Sequence, residues 1–236
     1  MSIVNVRIAS VLILVLCGGW VQLGAGAYSH KGSTSVVVVR ENGQPPSDAV
    51  ILFDGSNASG FTQLDGTPAG WIVEDGVLIT GEQDIVSKYR FSDAQFHVEF
   101  NLPADDPKHG NSGLYFHHLY ELQILDSHNP NQFAPNQQCA SFFSTYAPLV
   151  NATRPPGEWQ TYDIIFHGAR LDASGKVRKP ARFTVFHNGV LVQYERELSE
   201  GTGQGRKNPM VLEGPVKLQA HGSPVRFRNL WARSLE

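Results

Sequence analysis

The sequence predicts an all-β fold, a jelly-roll sandwich of two antiparallel sheets, and three observations carry that expectation. Apolar residues recur with a period of two in short runs, and Gly, Asn, Asp and Pro punctuate those runs, drawn from 23 Gly and 14 Pro in 236 residues. No window of a dozen residues holds a convincing amphipathic helix, because Pro breaks most candidates. Strands with one apolar face each are stable only when two sheets stack or one sheet closes. At 41% hydrophobic and 17% charged residues, the chain has material for a sizeable core, and it is neither coiled coil nor collagen-like.

In chain order, residues 1–27 stand apart in composition. Arg7 supplies a positive start, Ile8 to Leu16 is almost wholly apolar, and Ala25-Gly26-Ala27 gives the small-x-small pattern of a signal peptidase site. A cleaved secretory signal is expected, placing the protein in the periplasm or outside the cell. The apolar stretch is shorter than the ~20 residues that span a bilayer, so no membrane association is expected after cleavage. Removing residues 1–27 takes away Arg7 and no acid, leaving 18 basic and 22 acidic residues and a net charge of -4. That balance gives no pull toward nucleic acid. Cys139 then remains without a cysteine partner and reads as a small buried residue.

Residues 28–47 read as a low-order leader, with Val36 to Val39 an added strand, and the sandwich is expected over 48–236. Strands are expected at Trp71 to Val73 and Val77 to Thr80, joined by Asp75-Gly76. A second hairpin joins Phe183 to His187 and Val190 to Tyr194 through Asn188-Gly189. Both dipeptides suit the two-residue turn with positive φ at each position. Further strands are expected at Ala94 to Leu102, Gly113 to His118, Tyr120 to Leu125, Trp159 to His167, Val216 to Gln219 and Val225 to Ala232. Three loops exceed what connection needs, at Pro103 to Ser112, Asp126 to Gln138 and Leu198 to Pro209.

Alternation sets Leu122 and Ile124 toward the core and Glu121 and Gln123 on the opposite face. One residue of bulge would bring Asp126 to the face of Glu121, and two carboxylates so placed can act as acid and base on a sugar. An ordinary polar strand face would carry the same residues. The same alternation puts Tyr115 and His117 together, a ring that stacks on sugars and an imidazole that carries protons. Near the C-terminus Gln219, His221, Arg226 and Arg228 flank Gly222-Ser223-Pro224, where an Arg fork can hold a ligand carboxylate or an acid such as Glu121. His117, His118, His128 and His221 with Asp126 could meet at a metal, but no tight ligand spacing singles out one, so no metal ligand is assigned and a divalent cation stays open. A nucleophile elbow, a phosphate-cradling loop and a dinucleotide fingerprint are all missing.

LFDGS at Leu52 to Ser56, GNSGLYF at Gly110 to Phe116, YELQILDS at Tyr120 to Ser127, RPPGEWQTYDIIFH at Arg154 to His167, KPARFTVFHNGVLVQ at Lys179 to Gln193 and HGSPVRFRNLW at His221 to Trp231 resemble the DUF1080 family, also called the 3-keto-disaccharide hydrolase domain. The resemblance runs from about Asp48 to Arg233. It implies a concanavalin A-like lectin/glucanase sandwich and an exported enzyme acting on glycosides oxidised at C3. YELQILDS is similar in spacing to the Glu-x-Asp-x-x-Glu strand of glucanases in that fold, with Gln123 and Asp126 replacing the second and third acids. Many members read Leu-Gln-Asp-His-Gly where this chain has Leu218-Gln219-Ala220-His221-Gly222, which leaves a non-catalytic carbohydrate-binding module as the alternative.

A ketone at C3 acidifies the hydrogen on C2, so a base can form an enolate and expel the C1 substituent before water adds back. On that reading Glu121 is the base, Asp126 or His221 protonates the leaving oxygen, and Arg226 or a bound cation polarises the enolate. Tyr115, His117, Gln123, Gln219 and Arg226 would bind the carbohydrate.

Overall fold

The computed structural model describes residues 44–235. The expected signal and the strand at Val36 to Val39 lie outside the described residues. Among the described residues fifteen strands follow one another: β1 (Val50–Phe53), β2 (Phe61–Gln63), β3 (Ile72–Glu74), β4 (Val77–Ile79), β5 (Ile85–Phe91), β6 (Ala94–Asn101), β7 (Ser112–Phe116), β8 (Tyr120–Ile124), β9 (Trp159–His167), β10 (Arg170–Leu171), β11 (Val177–Lys179), β12 (Ala181–His187), β13 (Val190–Leu198), β14 (Gly214–Leu218) and β15 (Arg226–Ser234). Helical structure is confined to two short 3-10 turns, at Pro135–Gln137 and Gly203–Lys207.

The larger sheet runs β13-β12-β9-β6-β15-β4-β3, with β1 also on β15; the smaller runs β2-β5-β14-β7-β8, and β10 and β11 form a separate ribbon. The expected jelly-roll sandwich is the observed architecture. Alternation builds its interior, most plainly in β9 and β12, where every second residue is buried. Rings from the two inner faces interlock: Phe116 of β7 lies 5.2 Å from Phe183 of β12 and 5.1 Å from Phe96 of β6, and Phe91 of β5 lies 5.8 Å from Phe166 of β9. These edge-on contacts suit ring quadrupoles and fill the layer between sheets.

Both two-residue turns form as expected. Asp75 and Gly76 have φ of 49° and 77°, and Asn188 and Gly189 have 52° and 78°, the left-handed pair that continues strand twist. Cys139 is buried, with Sγ 3.0 Å from the Tyr162 hydroxyl. Two expected strands stop early. β7 ends at Phe116 because His117 and His118 take φ of 56° and 63°, and β8 ends at Ile124.

Candidate functional site

β8 is the outermost strand of the five-stranded sheet, and its free edge is covered. Gln123 N donates to Ser141 O at 2.9 Å, Ala140 N to Gln123 O at 3.0 Å, and Phe143 N to Glu121 O at 3.3 Å. With β7 on its other side, β8 is fixed from both edges. Register does the rest: Glu121 pairs with Tyr115, and Tyr115 with Lys217 of β14, so the three form one row on the face turned away from the core. Gln123 pairs with Gly113, whose carbonyl accepts from Gln219 N at 3.0 Å, forming the next row.

Gly113 has a steric role there. A Cβ at that position would stand 3.3 Å from Glu121 Oε1, a tight approach, and would touch Gln219 Oε1 at 3.4 Å. The loop after β13 closes over the row. Thr202 N donates to Leu119 O at 2.8 Å, and Thr202 Oγ1 accepts from Glu121 N at 2.7 Å. Next comes Gly203 at φ 52°, where a Cβ would overlap Glu121 Oε2.

Glu121 is 5% exposed. Burial pushes its carboxyl up to about 7, more than the Tyr115 hydroxyl bond and the Lys217 charge pull it down, and the Asp84 carboxylate adds to the rise. Burial, then the charge of Glu121, holds the Tyr115 hydroxyl well above its usual range, so it stays protonated as a donor. Gln219 Nε2 lies 3.4 Å from the Tyr115 hydroxyl, and Gln219 Oε1 is buried with no hydrogen-bond partner among the described residues. Lys217 Nζ sits 3.9 Å from the centroid of the Tyr115 ring and 2.6 Å from Asp84 Oδ2. Asp84 Oδ1 in turn accepts from Ala220 N at 2.9 Å.

Above the rows opens a cavity of about 410 Å3, with Asn111, Tyr115, Glu121, Gln123, Gln219 and His221 among its walls and Gly203, Arg206 and Lys207 facing them. A neighbouring cavity of about 490 Å3 shares Tyr115 and Gln204 with it and adds Leu64, His118 and Lys217. Each is in the size range of a small-molecule site, and the polar groups converge on a buried titratable acid.

Five residues expected from the sequence are brought together: Glu121, Tyr115, Gln123, Gln219 and His221. Three lie outside that cavity, His117 on the wall of its neighbour. Asp126 lies past the end of β8, its amide bonded to His109 O and its Oδ1 accepting from His128 N at 3.2 Å, so it organises a turn instead of sharing the face of Glu121. His117 is 1% exposed, because its left-handed backbone turns the ring inward: Nε2 lies 2.8 Å from Phe91 O and the ring packs 4.9 Å from Phe166. Burial drives its pKa down to about 4, which leaves it neutral. Arg226 belongs to the larger sheet, paired with Asn101 and Ile79, and Arg228 beside it holds Glu99 at 2.6 Å instead of Glu121.

Lys217, Asp84, Thr202 and Gly203 were not anticipated. A signal existed for Lys217, which alternation places on the same face as Gln219. Among the described residues no three or more His, Cys, Asp or Glu side chains gather as metal ligands.

Residues 48–233 match the family model of a 3-keto-alpha-glucoside-1,2-lyase-like domain. The chain is similar to the crystal structure of a protein named "putative glycosyl hydrolase" from Parabacteroides distasonis ATCC 8503, with TM-score 0.80 and 35% identity, covering 89% of this chain and 95% of that one. A second protein of that name and organism shares the fold at TM-score 0.64 and 20% identity, covering 80% and 94% of the two chains. No curated protein matches the chain.

Proposed function

The chain belongs to the 3-keto-alpha-glucoside-1,2-lyase-like domain family, and from that premise we propose that it cleaves 3-keto-glycosides by base-initiated elimination, with Glu121 as the base. Family and relatives make it a carbohydrate-active domain of the glycosyl hydrolase or lyase kind. The reading of residues 1–27 as a signal puts its work outside the cytoplasm.

One observation carries the choice of base: a single carboxylate, buried at the floor of an open cavity, with its pKa raised to about 7. A base of that strength is part ionised at neutral pH and is far better matched to an acidified C–H than an ordinary Glu near 4.5. In the reaction, the Glu121 carboxylate takes the C2 proton, and the electron pair moves into the C2–C3 bond as the C3 carbonyl becomes an enolate. The enolate then collapses, forming the C1–C2 double bond as the C1–O bond breaks. The departing oxygen takes a proton from a donor at the cavity wall, either the Tyr115 hydroxyl or His221. Addition of water across C1–C2 completes a net hydrolysis. Asn111, Gln219 and the Arg206 guanidinium line the same cavity and supply donors for the enolate and the ring hydroxyls.

Glu121→Gln preserves shape and removes the base. Turnover of a 3-keto-disaccharide is expected to fall by at least ~10³-fold with far-UV dichroism unchanged. A variant cleaving at the wild-type rate would end the assignment. A wild-type protein that binds the sugar saturably without cleaving it would establish a binding module instead.

A further inference from the structure

The cavity above Glu121 is one of an adjoining pair. The other, of about 490 Å3, shares Tyr115 and Gln204 with it, and the turn Gly203–Lys207 borders both, with Gly203 and Arg206 on the first and Gly205 on the second. Tyr115 stands at the join, its hydroxyl bonded to Glu121. A sugar whose C2 hydrogen meets Glu121 carries the atom attached to C1 only two bonds from that carbon. The group on C1 therefore begins beside the residues that touch Glu121, and the second cavity is the space that opens past Tyr115.

The two cavities differ in chemistry. The first has polar capacity to spare: Gln219 Oε1 is buried there with no hydrogen-bond partner among the described residues. In the second, Leu64, Pro209, Val211 and Pro215 contribute apolar wall, and the Leu64 side chain is exposed. The charged groups beside them are engaged. Arg90 Nη2 donates to Glu213 O at 2.8 Å and Arg90 Nε lies 3.3 Å from Glu213 Oε1, while Lys217 Nζ lies 2.6 Å from Asp84 Oδ2. Asn208 Nδ2 donates to His118 O at 2.7 Å. Burial, then the charges of Lys217 and Arg90, lowers the pKa of His118 and favours its neutral form.

A second hexose entering this space would give up several bonds to water for few protein partners. A flat apolar ring gives up none and covers Leu64 and Val211.

We propose that this neighbouring cavity receives the group that departs from C1, and that it favours an aromatic aglycone over a second sugar. The placement rests on the keto sugar lying over Glu121, as in the elimination above. It makes 3-keto-glycosides of phenols the preferred substrates of the same site.

The test measures, by calorimetry on the protein carrying Glu121→Gln, the Kd of phenyl and methyl 3-keto-glucosides of one anomeric form and of a 3-keto-disaccharide. The phenyl compound is expected to bind roughly 10-fold or more tightly than the methyl compound, and more tightly than the disaccharide. Leu64→Asp, at a position 62% exposed and so tolerant of charge, should cut the phenyl-to-methyl ratio to about 3-fold or less with an unchanged unfolding temperature. Val211→Thr, close in shape, should lower the ratio as well. Wild-type KM values for the same three compounds read the preference without regard to which residue is the base, so a misassigned base would show as turnover by Glu121→Gln with the phenyl preference intact. Equal binding of the phenyl and methyl compounds, tighter binding of the disaccharide than of the phenyl compound, or a ratio unmoved in both wall variants would each overturn the proposal.

Discussion

Glu121 shows how one side chain acquires a chemical role from its surroundings. Its folded pKa of about 7 stands above the ordinary 4.5 because burial outweighs the Tyr115 bond and the Lys217 charge. The sign for stability follows from the linkage of protons to folding: a carboxyl with a raised folded pKa favours the native state below about 4.5, and that contribution is lost as pH rises through about 7. Glu121→Gln should therefore gain about 3 kcal/mol on wild type between pH 4 and pH 8 in urea unfolding, the same variant that loses turnover. Tyr115→Phe acts in the other direction on the same pair. Without the hydroxyl, Glu121 loses a bond to its charged form, so the rising limb of kcat/KM against pH should move above 7, and kcat should fall roughly 10²-fold. A pH profile superposable on that of wild type would contradict the coupling. Part of this was legible in the sequence: the period of two put Glu121 and Gln123 on one strand face and grouped Tyr115 with His117 on another strand, while the register that brings Tyr115 and Gln219 beside Glu121 has no local signal. Asp126 and His117 fall outside the row for a related reason: a bulge was expected before Asp126 and alternation was extended to His117, both past the last paired residue, where a turn and a left-handed backbone redirect the chain.

Among the elements, the loop following β13 matters most to the site. It is pinned by Thr202 to Leu119 and Glu121, and its Gly203 both takes φ 52° and lies against Glu121 Oε2. Gly203→Ala should displace the carboxylate, cutting kcat by roughly 10-fold or more and costing about 1–3 kcal/mol of stability. A variant that matches wild type in both would show the loop to be a passive cover. From sequence this loop was conspicuous for its length, but nothing in it announced a contact with β8, because the contact is made by backbone, by one ordinary Thr202 hydroxyl and by a residue without a side chain. β5 escaped notice for a different reason. It buries Ser87 where alternation calls for an apolar residue, and Ser87 Oγ accepts from Val216 N at 3.1 Å beside the register shift in β14. β10 and β11 span two and three residues, too few for any period to register.

At the scale of the molecule, two antiparallel sheets share an aromatic interior, and the candidate site lies on the outer face of the smaller one. The five-stranded sheet presents Glu121, Tyr115 and Lys217 in one row. Sandwich architecture was legible because alternating strands without helices have few ways to bury their apolar faces. Sheet order was not, since neighbours such as β15 and β6 are separated by long stretches of chain and no local pattern encodes their pairing. What the assembled molecule does to a 3-keto-glycoside is read most directly by cleaving the substrate in heavy water and locating deuterium in the released keto sugar. Proton abstraction by Glu121 followed by hydration predicts one deuterium at C2 beyond the enzyme-free control. Cleavage that leaves the original hydrogen at C2 would mean direct displacement at C1 and would contradict the elimination.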